Sequence, residues 1–148
     1  MLNFFLVFSM FALTACGTSG MTNSHRLSEP IAKNEARLMI SRTTDLLYLA
    51  AAADVAVNGQ KIASLGRGGS VVYDVPKGKN NIVVKTFGAF GQYSQIFDTE
   101  ARKTYHFEIS PNSSAMWPSA AFGLIVDAIN AQVNENTGYF KIIPTKVE

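Results

Sequence analysis

The sequence predicts a mainly β fold, a small antiparallel β-sandwich of about seven strands with one C-terminal helix. Three observations point there. From Ala36 onward, short apolar runs recur about every 8–12 residues, with turn residues between them. Asn58-Gly59 sits between two such runs, and both residue types accept the positive φ of a tight hairpin. Phe122, Ile125, Val126, Ile129 and Val133 fall at i, i+3, i+4, i+7 and i+11, the apolar stripe of one helix.

The elements follow in order. Ala36, Leu38 and Ile40 alternate with Arg37, Met39 and Ser41, the pattern of a half-buried strand. Leu46 to Val57 reads as a second strand, although its alanine run Ala50 to Ala53 also suits a helix. Gln60 to Leu65 is the return strand after Asn58-Gly59, and Gly66-Arg67-Gly68-Gly69 is the next hairpin turn. Val71, Tyr73 and Val75 alternate with Ser70, Val72 and Asp74 until Pro76-Lys77-Gly78 closes that strand. Ile82 to Phe87 is β-branched and apolar, with Phe87 assigned to the core. Gly88 and Gly91 bracket a loop tip that carries Phe90. Tyr93 to Asp98 and Thr104 to Ile109 are further strands; in the latter Thr104, His106 and Glu108 share one face. Residues 110–118 break the pattern, Ser119 is placed to cap a helix near 119–133, and Tyr139 to Ile143 forms a last strand.

Composition narrows the function. The chain has 148 residues, 16% of them charged, and a formal net charge of +2. That balance excludes a strongly basic nucleic-acid binder. A single cysteine excludes an internal disulfide framework and a zinc site built on several thiolates.

The N-terminus carries an address. Of residues 1–15, MLNFFLVFSMFALTA, twelve are apolar, and the first charged side chain is Arg26. The run is shorter than the ~20 residues of a spanning helix and suits the apolar core of a secretory signal. Leu13-Thr14-Ala15-Cys16 follows, with Gly17 after it. This segment resembles the lipobox of bacterial lipoproteins. The resemblance implies a diacylglycerol on the Cys16 thiol, cleavage before Cys16 and acylation of the new amine. Gly17, where aspartate tends to retain lipoproteins in the inner membrane, is compatible with transport to the outer membrane, the domain facing the periplasm. Two or more acyl chains hold a protein stably to a membrane, whereas one does so marginally. Residues 16–35 are small and polar and form a lipidated flexible tether. As a coil it spans roughly 24 Å on average and stretches to about 60 Å. His25 lies within it, without neighbours at ligand spacing.

Residues 36–148 form the folded domain. Within it, Asn58-Gly59, the glycine turn at 66–69, Pro76-Lys77-Gly78 and the Tyr-bearing run Lys103 to Phe107 stand in a recognisable order. This order resembles the PEGA-like, or carboxypeptidase-regulatory-like, β-sandwich modules of an uncharacterised lipoprotein family. The match spans roughly 36–109 and implies a fold and an envelope setting, with no reaction. Many such sequences carry His two residues after the turn glycine; here that position is Asn80, and no role transfers to it.

The sequence carries no strong catalytic constellation. His106 with Glu108, and with Asp74 or Asp98 if folding brings them near, is the best candidate for acid–base work. The simpler reading is a polar strand face. One His in the domain predicts no metal site and no cofactor. Gly66-Arg67-Gly68-Gly69 lacks the Lys-Ser/Thr of a phosphate loop. Arg67, Lys77, Lys79 and Lys85 form a basic cluster in sequence that suits anionic lipid or polysaccharide. Phe90, on FGAFGQY, is a candidate for stacking on a sugar or anchoring a partner. Met116-Trp117-Pro118 reads as a helix-start staple, and the 122–133 stripe as core. The expectation is a membrane-anchored, non-enzymatic envelope lipoprotein that acts as a structural or protein-interaction module. The alternative is a small-ligand or cell-wall glycan binder. An anchored hydrolase using His106 ranks third.

Overall fold

The computed structural model describes residues 24–113 and 136–148. Cys16, Met116 to Pro118 and the helix expected over 119–133 lie outside the described residues. The one α-helix among the described residues is a single turn, α1 (Ser24–Leu27), ahead of the sheets rather than near the C-terminus.

Eight strands follow, one more than expected. They are β1 (Glu35–Arg42), β2 (Ala53–Val57), β3 (Gln60–Leu65), β4 (Ser70–Pro76), β5 (Gly78–Lys85), β6 (Gln92–Thr99), β7 (Thr104–Pro111) and β8 (Phe140–Val147). They form two four-stranded sheets, ordered β4-β1-β7-β8 and β3-β2-β5-β6. Period-2 burial explains the pairing of the sheets. Ala36, Leu38 and Ile40 of β1, Val71 and Val75 of β4, Phe107 and Ile109 of β7, and Phe140 and Ile142 of β8 point inward from the first sheet. Ala53, Val55, Val57, Leu65, Ile82 and Val84 meet them from the second, and all belong to one buried cluster.

The pairing departs from an all-antiparallel arrangement at one place. β1 lies between β4 and β7, antiparallel to the first and parallel to the second. Asn58-Gly59 is a hairpin turn as expected, with Val57 opposite Gln60 and φ of 50° and 81° at the two turn residues. The other two turns are not hairpins. Gly66 to Gly69 carries the chain from β3 in one sheet to β4 in the other, and Lys77 carries it back from β4 to β5. A turn signal marks where a strand ends. It does not say which sheet the next strand joins, because that depends on the distant partner.

The second strand is also shorter than expected. Leu46 to Ala50 form a turn, and only Ala53–Val57 pairs. Arg42 explains this. The even parity of Leu38 and Ile40 continues to residue 42, so Arg42 points into the core and is 4% exposed. Among the described residues its guanidinium has no carboxylate partner. It donates instead to the carbonyls of Tyr48 (2.9 Å), Leu65 (3.0 Å) and Ala51. It also sits 4.4 Å from the centroid of the Phe140 ring. Burial pulls the Arg42 pKa below its usual value. Those bonds curl residues 43–52 over the end of the core. Tyr48 takes φ of 57° there, a conformation costly for a bulky side chain, and stacks on Tyr139 at 4.6 Å.

Candidate functional site

The two ends of the sheets differ in chemistry. β1 enters at Glu35 and leaves at Arg42, and the steps between its eight residues, at about 3.3 Å each, separate the ends by roughly 23 Å. The entry end holds the chain coming from the tether. Lys77 N donates to Asn34 O at 2.9 Å and Arg102 N to Glu35 O at 2.7 Å. Arg37 grips Asp74 through two bonds, at 2.8 and 2.9 Å, and reaches back to Glu29 O at 2.9 Å. The Asp74 hydrogen bond is the main reason the Arg37 pKa lies above its usual value.

The far end is apolar. The loop at 43–52 meets the turn at 66–69, where Gly68 N donates to Thr43 O at 3.3 Å and Arg67 Nε to Thr44 O at 2.6 Å. Tyr48 then stacks on Tyr139. Residues 137–138 press on the start of β6, so that a Cβ on Gly138 would lie 3.0 Å from Gln92 backbone, and one on Gly91 2.7 Å from Thr137 Oγ1. That close approach brings the loop at 86–91 alongside. Five large apolar side chains stand exposed at this end: Leu46, Leu49, Phe87, Phe90 and Tyr139. Phe87 is 94% exposed and Phe90 53%.

Phe90 is therefore exposed as expected, and Phe87 is not a core residue. The reason is parity. Ile82 and Val84 face inward, so Thr86 takes the next inward position and Phe87 starts the loop. Alternation counted one residue further would have shown it, as it would for Arg42.

The basic cluster dissolves. Arg67 and Lys85 belong to the aromatic end, whereas Lys77 and Lys79 belong to the tether end, with the length of β4 between them. Arg67 is a loop staple. Asn80 is buried and fully engaged. It accepts from Asn58 Nδ2 at 2.8 Å, and its amide donates to Pro76 O and Gly78 O at 2.9 Å and Thr99 Oγ1 at 3.0 Å. It fastens the Asn-Gly hairpin to the sheet crossing.

His106 and Glu108 do share a face, the outer side of the first sheet, opposite Met39 and Ser41 of β1. Asp74 is committed to Arg37, and Asp98 lies in the other sheet. The polar strand face is not fully open. His106 Nε2 is shut from solvent without a hydrogen bond, 3.7 Å from a Glu148 carboxylate oxygen. Among the described residues no three His, Cys, Asp or Glu side chains come together as metal ligands, and no helix is long and apolar enough to cross a membrane. No protein-family model matches the chain, and no curated protein matches it at significant similarity.

Proposed function

We propose that the protein is a lipid-anchored envelope lipoprotein that presents a protein-binding surface at the end of the domain remote from its anchor. The observation that carries the reading is the exposed aromatic end around Phe87, Phe90, Leu46, Leu49 and Tyr139. Large apolar side chains gathered at one end of a domain mark an interaction surface. The lipobox at Leu13 to Cys16 supports the anchor, and the PEGA-like order of turns supports a sandwich module in the envelope. Cys16 lies eight residues before Ser24, and the chain enters the sheets beside Lys77, so a lipid there attaches the domain from the end opposite the aromatic side chains. Anchoring concentrates that end near partners held in the same layer. The mechanism is presentation, and no reaction is assigned.

A glycan reading rests on the open Phe87 and Phe90 rings, which suit stacking on sugar faces. It ranks second because the aliphatic Leu46 and Leu49 beside the rings suit a protein core better than hydroxyl-rich rings. The test pairs two variants. Cys16→Ser should leave the membrane fraction and lose labelling by a fatty-acid probe. Phe87→Ser with Phe90→Ser should stay folded and anchored, yet lose in-cell crosslinks to protein. Persistence of both membrane retention and probe labelling in Cys16→Ser refutes the anchor. Retained protein crosslinks in the double variant refute the surface, and loss of sedimentation with isolated cell wall instead favours the glycan reading.

A further inference from the structure

The outer face of the first sheet holds a cleft of about 130 Å³. Val72 of β4, Met39 of β1 and His106 of β7 lie in one row across it, with Ser41 and Glu108 in the next and Thr145 of β8 at its side. Its walls carry one carboxylate, several hydroxyls and no Lys or Arg. Among the described residues the Glu108 carboxylate has no ion-pair partner. The cations nearest in register are Lys141 and Lys146 of β8, opposite Ser110 and His106; neither pairs with Glu108, and Lys146 is held by Glu148. Thr145 Oγ1 spends its proton on His106 O, at 3.2 Å, so its lone pairs remain acceptors.

We infer that this cleft binds an alkylammonium group. An ammonium offers three donors and one charge. Glu108 supplies the countercharge, and the Thr145 and Ser41 hydroxyls supply two further acceptors. Met39 covers the alkyl stem, as an apolar wall covers the stem of a lysine. An anion is disfavoured, because its charge would face Glu108 with no cation in the lining. The volume suits one side-chain-sized group rather than a whole sugar or nucleotide. The chemistry is shared by a free amine and by a lysine side chain of a peptide. The site is separate from the aromatic end and does not depend on its function.

The test is a titration followed by NMR on the full chain in detergent micelles, reading the His106 imidazole and the Met39 methyl. His25, the only other histidine, is the internal control. n-Butylammonium should shift both reporters to saturation at about millimolar concentration, while butyrate should not. Glu108→Gln should weaken binding about tenfold or more with an unchanged backbone spectrum. A Gly-Lys-Gly peptide that saturates at tenfold lower concentration than the amine assigns the cleft to peptides; the reverse order assigns it to small amines. Equal shifts with butyrate, shifts that never saturate, or unchanged binding in Glu108→Gln overturn the inference.

Discussion

Replacing Arg42 with methionine should destabilise the fold by about 3 kcal/mol and release the aromatic end. The magnitude comes from what the guanidinium holds. The Leu65 carbonyl is buried, and leaving it without a donor costs about 1–3 kcal/mol. The Tyr48 and Ala51 carbonyls lie on a loop that water can reach once the loop loosens, so each loses roughly 0.5–1 kcal/mol. Loss of the contact with Phe140 adds about 1–2 kcal/mol for a desolvated site. Methionine offsets part of this, since it keeps most of the apolar stem and no longer buries a charge. Arg42→Lys should fall between, because one ammonium cannot reach three divergent carbonyls as a planar fork does. The assay is urea unfolding of the chain beginning after Cys16. At a slope of about 1–3 kcal/mol/M the midpoint should drop by about 2 M, with the slope unchanged. The near-ultraviolet signal of the Tyr48–Tyr139 stack should weaken already in native buffer. A midpoint within the error of the unmodified chain, or a higher one, refutes the idea that Arg42 organises this end.

Three further outcomes are expected. Asp54 is pushed up by burial but pulled further down by hydrogen bonds from Ser64 and Lys61, so its pKa lies below the usual carboxylate value. A depressed carboxylate stabilises the fold above its unfolded value of about 3.9 and loses that contribution as pH falls through the folded value. Asp54→Asn should therefore destabilise the fold at pH 7, and the gap should close as the pH drops below 4 in an acid-unfolding series. Gly138→Ala should lower the melting temperature, because its Cβ would lie 3.0 Å from Gln92 backbone, which cannot yield as a side-chain tip can; about 1–3 kcal/mol is expected. Phe87→Ser should leave thermal stability within about 0.5 kcal/mol, since the ring is 94% exposed.

Strand content was legible because burial on one face imposes period 2, and Gln60–Leu65 matches residue for residue. Asn58-Gly59 was legible because few sequences tolerate two successive positive φ values. The allocation of strands to sheets was not legible. The parallel pairing of β1 with β7 joins residues about 67 positions apart, and no local pattern encodes it. Local parity did encode Arg42 and Phe87. Their chemical character argued the other way, since arginine is rarely buried and phenylalanine rarely exposed. Asn80 needed tertiary context, because two of its partners, Asn58 and Thr99, lie 22 and 19 positions away.

The central claim is that the aromatic end meets a protein partner while the opposite end stays near the anchor. Photo-crosslinking in intact cells tests it directly, with the reactive side chain placed at Phe87 in one variant and at Lys77 in another. The account predicts a discrete protein adduct from position 87, absent from position 77 and lost in Cys16→Ser. Equal adducts from both positions, or adducts from 87 only to lipid or glycan, would contradict it.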